Sequence, residues 1–142
     1  MIDKFSFGFE LFETFHDMCF ILSHEGEILE LNNSASETLE LEKNVAIGMN
    51  FFDFIDKSDR EKFRLVFTDS IINSSKGSIF AKWNINQRET DLSISISPIT
   101  NKEEGNQNLF FILAKDFTEQ RKKKLIFSVS IMWLKTLLTH YK

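Results

Sequence analysis

Apolar residues recur along this chain in distinct rhythms, and each rhythm predicts an element. Phe5, Phe9 and Phe12 stand at helical spacing, with Leu11 and Phe15 widening the stripe. That pattern predicts an amphipathic lead-in helix over 1–16, weakened by Gly8. Two short apolar runs follow, Met18–Leu22 and Ile28–Leu31, joined by Ser23-His24-Glu25-Gly26-Glu27. A glycine in a short polar connection between such runs predicts a β-hairpin.

Three short helices are expected next. Ser34 with Glu37, and Ser58 with Glu61, have capping-box spacing, in which Ser accepts from the N3 amide and Glu reaches back. The second box opens the better helix, with Phe63, Val66, Phe67 and Ile71 on one face and Asp59, Glu61, Lys62 and Asp69 solvated. Between the boxes, Asn50–Ile55 sets four large apolar residues around Asp53, which predicts a compact buried helical turn.

Asn73-Ser74-Ser75-Lys76-Gly77 breaks the helix, and alternation of period two begins. Ile79, Ala81, Trp83 and Ile85 share one strand face, and Leu92, Ile94 and Ile96 share one face of the next strand. Pro98 is expected to end that strand. After the polar loop at 101–108, Leu109–Ala114 is apolar on both faces. Such a strand belongs in the middle of a sheet and needs cover on its outer side. The lead-in helix or a second copy of the chain would supply it.

Asp116 and Thr118 can cap a helix starting near Glu119, their side-chain oxygens accepting its free amides. Beyond it Phe127, Ile131, Leu134, Leu138 and Tyr141 recur at the spacing of a two-stranded coil. Leu125, Ile126, Val129, Met132, Trp133 and Leu137 add apolar surface outside that seam. So much apolar surface predicts pairing in a dimer, packing on the sheet, or continuation into an effector. Lys135 interrupts the run and basic residues cluster on one side only, which ranks a membrane-surface helix lower. The whole order predicts an α+β fold: a five-stranded antiparallel sheet, short helices on one face, and N- and C-terminal flanking helices. The expected divisions are 1–16 for the lead-in helix, 17–117 for the domain, and 118–142 for the closing helix.

Composition changes this picture in a few places only. A chain of 142 residues suits one domain. Its 16 Phe against 1 Tyr predict an interior of large rings, which leave either tight contacts or a pocket. A net charge of −4, with Arg121–Lys124 as the one basic block, offers no field for nucleic acid. The single cysteine, Cys19, excludes an internal disulfide and suits a reducing compartment. The N-terminus lacks a signal-peptide layout, and no stretch reaches the ~20 apolar residues of a membrane span. A cytoplasmic location is the expectation.

Several local motifs stand in a telling order. Phe20–Leu31 ends in Asn32-Asn33-Ser34-Ala35; Gly48-Met49-Asn50-Phe51-Phe52-Asp53-Phe54-Ile55 follows, then Ser58-Asp59-Arg60-Glu61. The last strand closes on Asp116-Phe117-Thr118-Glu119-Gln120-Arg121. Over roughly Phe15–Lys123 the chain resembles the PAS family. That family has an acidic or Gly-rich turn between its first strands, an Asn opening the first helix, and a final Asp-Ile-Thr-Glu-Arg signature. Glu40 stands where the family often has Gly, and Asn86-Gln87-Arg88-Glu89 replaces its Asp-Gly turn.

The resemblance implies a sensory module of bacterial signal transduction, in two-component systems above all. It would detect a small ligand or partner and relay the signal through a dimer and the C-terminal helix. The alternatives are a ligand-free interaction or dimerisation module, or the sensor fragment of a histidine kinase or cyclase. No covalent flavin is expected, because the buried turn has Asn50 and Phe51 but no Cys, and Cys19 reads as a core residue. His-ligated haem is not expected, since 59–75 contains no His and His16, His24 and His140 are scattered. No nucleophile-base set or phosphate-cradling glycine loop is present, so the chain does not read as an enzyme. Phe52, Phe54, Phe63, Phe67 and Trp83 are the candidate pocket residues, with core filling as their plainer role. Asp116, Thr118 and Arg121 are the candidate relay. A homodimer and an effector docking on the closing helix are the expected partners, with no metal.

Overall fold

The computed structural model describes residues 12–99 and 109–118, together with positions 132, 135 and 136. Five strands, β1 (Met18–Ser23), β2 (Ile28–Leu31), β3 (Gly77–Ile85), β4 (Arg88–Ile99) and β5 (Leu109–Asp116), form one sheet. Its order is β2-β1-β5-β4-β3, and every pairing is antiparallel. Thus β5 is the central strand, as its two apolar faces require. Between β2 and β3 lie α1 (Asn33–Leu39), α2 (Lys43–Ala46), a 3-10 turn (Phe51–Phe54) and α3 (Lys57–Asn73). This is the α+β architecture that the residue pattern predicts.

The inner sheet face carries the period-two residues of the strands. Ile79, Ala81 and Trp83, then Leu92, Ile94 and Ile96, are all buried against the helices. Phe63 and Phe67 of α3 close over them. On the outer face Phe12, only 5% exposed, sets its ring edge-on to Phe111 at 6.1 Å. The cover that β5 needs is therefore supplied in cis at this point. Glu13 secures the same segment, its carboxylate accepting from Asn33 N at 3.0 Å and from Lys43 Nζ at 2.6 Å.

Helix starts differ from expectation. Asn32, not Ser34, caps α1, and its Oδ1 accepts from Ala35 N at 3.0 Å. Asp56, not Ser58, caps α3, and both the amide and the hydroxyl of Ser58 donate to its carboxylate. A carboxylate is the stronger acceptor, so the serine becomes the donor and the helix begins two residues earlier, at Lys57. The same bond holds the Asp56 carboxyl below its usual range. The short α2 has no counterpart in the expected order, because four residues carry too little periodicity to read.

Pro98 does not end its strand. It pairs with Phe110 beyond the last β3–β4 pair, Gly77 with Ile96, where one side of the strand no longer needs a donor. The β3–β4 connection is a two-residue turn with Asn86 at φ 51° and Gln87 at φ 65°. Both residues lie in the left-handed region that such primed turns require. Glu40, the departure from the family's Gly, is also left-handed (φ 56°) as the C-cap of α1. Its carboxylate accepts from Asn86 Nδ2 at 2.9 Å, tying α1 to the hairpin tip. Of the expected flanking helices, residues 12–14, 118, 132, 135 and 136 are helical. Phe15 and His16 are not helical, so the lead-in helix ends at Thr14, short of the expected bound; the rest, including the Phe127–Tyr141 seam, lie outside the described residues.

Candidate functional site

The interior is built around the 3-10 turn. Asn50 starts that turn, its Oδ1 accepting from Phe52 N at 2.9 Å while Nδ2 donates to Glu25 O at 3.1 Å. Gly26 (φ +86°) sits beneath the Phe52 ring, where a Cβ would come within 2.4 Å of Cε2. A side chain at 26 would displace the ring, so the β1–β2 turn and the aromatic cluster are locked together.

All five candidate pocket residues meet in one ring network. Phe52 touches Phe63 at 5.2 Å and Phe67 at 5.5 Å, both edge-on. Phe54 stacks on Trp83 at 5.5 Å, and Phe63 on Phe67 at 6.0 Å. Phe51, absent from the candidates, is the hub that joins the two halves. Its ring lies 5.0 Å from Phe20, 5.4 Å from Phe63 and 5.7 Å from Trp83. In consecutive Phe51-Phe52 neither periodicity tells which ring points inward, because a 3-10 turn has a third rhythm. Trp83, Phe20, Phe51 and Phe63 are fully buried, and such contacts fill the space between helices and sheet.

The described cavities lie elsewhere. One of about 950 Å³ opens on the outer sheet face beside Asp59, Lys62, Phe80, Lys82 and Phe117. Phe80 is 61% exposed there, its ring 5.0 Å from that of Phe117. A second, of about 190 Å³, lies at the end of the sheet between α1 and the β3–β4 hairpin, with Trp83 in its lining. Among the described residues no group of three or more His, Cys, Asp or Glu is placed to hold a metal ion. Among them, too, no helix is long and apolar enough to cross a membrane.

Two of the three relay candidates meet where the chain leaves the sheet. Phe117 N donates to Asp91 O at 3.0 Å, and Asp91 N donates to Thr118 Oγ1 at 3.0 Å. Asp116 Oδ1 accepts from Thr118 N at 2.9 Å, a cap-like contact. Both backbone groups of one β4 residue are therefore engaged by residues 117 and 118. Arg121 lies outside the described residues.

Cys19 is fully buried on the outer side of β1. Burial, reinforced by the Asp17 and Glu13 carboxylates, pushes its thiol up to about 12. It is a packed thiol, not a nucleophile at neutral pH.

The fold recurs in solved structures. A PAS domain from a two-component sensor histidine kinase shares 16% identity, with a TM-score of 0.63 over 80% of this chain and 96% of that one. The PAS domain of a protein from Colwellia psychrerythraea shares 16%, with a TM-score of 0.70 over 82% and 99%. That of nitrogen regulation protein NR(II) from Vibrio parahaemolyticus shares 14%, with a TM-score of 0.62 over 78% and 98%. No curated protein matches the chain. The family model described as the PAS fold matches residues 6–114, more than half the chain. With that match on this sheet order and helix set, the chain belongs to the PAS family.

Proposed function

We propose that this chain is a sensory PAS module that relays a signal through the Asp116–Thr118 junction into the segment that follows. The carrying observation is the double engagement of Asp91 by Phe117 and Thr118. It makes the start of the closing segment depend on the position of one residue of β4. The input is a small ligand or a partner protein, and the ring network favours one that acts outside the filled interior. Similarity in fold to PAS domains of a sensor histidine kinase and of NR(II) suggests two-component signalling as the setting. The chain itself acts as a sensor and not as a catalyst.

The test replaces Thr118 with Ala and follows amide hydrogen exchange. Exchange should quicken at 119–125 while Leu92–Ile96 remains protected. An equal rise in both regions would make the junction part of the global fold and end the relay reading.

Self-association is the second element of the proposal. Because Phe12 already covers Phe111, the apolar surface left on the outer face centres on Phe80 and Phe117. Burial there is worth roughly 25 cal/mol per Å² of apolar area. Sedimentation should show a dimer at high micromolar concentration that Phe80→Ser weakens; a monomer would remove this element.

A further inference from the structure

The segment that leads into the sheet, residues 12–17, is fastened to the helices mainly by polar contacts. One carboxylate carries much of the load. Glu13 Oε2 accepts from the backbone of Asn33, the first residue of α1. Its Oε1 accepts from the side chain of Lys43, the first residue of α2. Ser34 Oγ donates to His16 O at 2.6 Å, and Asn32 Nδ2 donates to Asp17 O at 2.9 Å. Apolar fastening is sparse by comparison. Of residues 12–17 only Phe12 is buried, on Phe111, and Phe15 is 45% exposed.

Cys19 lies just behind this segment. Met18, Phe20 and Leu22 belong to the core cluster and Cys19 does not, so strand alternation turns its thiol to the outer side. The thiol is fully buried there, with Asp17 O 3.8 Å from Sγ. The Glu13 and Asp17 carboxylates both act on it electrostatically, which places residues of the entering segment close by. Local opening draws on the parts of a fold with little buried apolar surface and many exposed bonds. Residues 12–17 fit that description. The strands do not, since their inner faces are buried from Met18 to Ala114.

We infer that residues 12–17 are a strap that opens as a unit while the sheet stays folded, with the Glu13–Lys43 ion pair as its latch. Glu13 holds α1 and α2 at once, so opening frees both helix starts together and uncovers Phe111 and Cys19. A displacement of the lead-in residues thereby reaches the helical side of the domain. This route is separate from the Asp116–Thr118 junction and does not depend on it.

The single cysteine lets thiol labelling report the opening. The full chain is treated with iodoacetamide at mildly alkaline pH over a series of low urea concentrations. Labelling through the strap should depend weakly on urea, because strap opening exposes little surface; labelling through global unfolding would rise steeply. Glu13→Gln should speed labelling about fivefold, the worth of a partly exposed ion pair. Lys43→Gln should add little in the Glu13→Gln background, since the two act as one contact. Phe12→Ala, which removes the one apolar anchor, should speed labelling further and keep the shallow urea slope. Three results would each overturn the inference: a slope as steep as that of global unfolding, a rate unchanged by Glu13→Gln, or independent effects of the two latch substitutions.

Discussion

Asn32 Oδ1 stands 3.0 Å from the backbone nitrogen of Cys19, thirteen residues earlier, and accepts its N–H. The same oxygen caps α1 through Ala35 N, while Nδ2 donates to Asp17 O at 2.9 Å and, at longer range, to Phe12 O and Phe15 O. One fully buried amide thus joins the lead-in residues, the first strand and the first helix.

Asn32→Ala should cost about 2–4 kcal/mol, because it strands two buried N–H donors and removes a cap at once. Urea unfolding followed by fluorescence measures this. A loss under about 1 kcal/mol would mean that water or local shifts replace the amide.

Asp59 governs the free edge of the sheet. Its Oδ2 accepts from Lys82 N at 2.7 Å, Asp56 N donates to Lys82 O at 2.8 Å, and Lys62 Nζ donates to Phe80 O at 2.9 Å. Edge strands with open backbone groups invite pairing with other chains. Asp59→Ala should cost about 1 kcal/mol, hasten exchange of the Lys82 amide and raise the rate of aggregation. Unchanged Lys82 exchange would show that the carboxylate protects nothing.

Ser70 points its hydroxyl into the space between α3 and Gly77, and this oxygen is buried with no hydrogen-bond partner among the described residues. Replacement by Ala removes the unsatisfied group at nearly constant volume. Ser70→Ala should therefore raise stability, by about 1 kcal/mol, in thermal or urea unfolding. A clear loss of stability would show that the hydroxyl is satisfied in solution.

Cys19 gives stability an alkaline limit. Folding moves its thiol from 9.0 up to about 12, chiefly by burial and then by the Asp17 and Glu13 carboxylates. The native state favours the neutral thiol, so this contribution is whole below pH 9 and is lost as pH climbs toward 12. The stability advantage of the native protein over Cys19→Ala should shrink across that interval and be level below it. A constant difference would show that the thiol ionises equally in both states.

Residue pattern alone determined the strands, their faces, the central place of β5 and the hydrophobic face of α3. Each is set by local spacing, which forces apolar side chains to one side of an element whatever it packs against. Pattern also picked out the five rings and two described junction residues, since large aromatics and Asp-x-Thr spacing carry their own chemistry. It did not distinguish Phe51 from Phe52, or Ser58 from Asp56 as the cap. Those choices depend on which neighbour arrives: Gly26 beneath Phe52, and a carboxylate that outcompetes a hydroxyl. The clasp from Glu40 to Asn86 was likewise invisible, because its partners stand 46 residues apart in sequence. Contacts between residues distant in sequence leave no periodic trace, so only the tertiary structure could decide them.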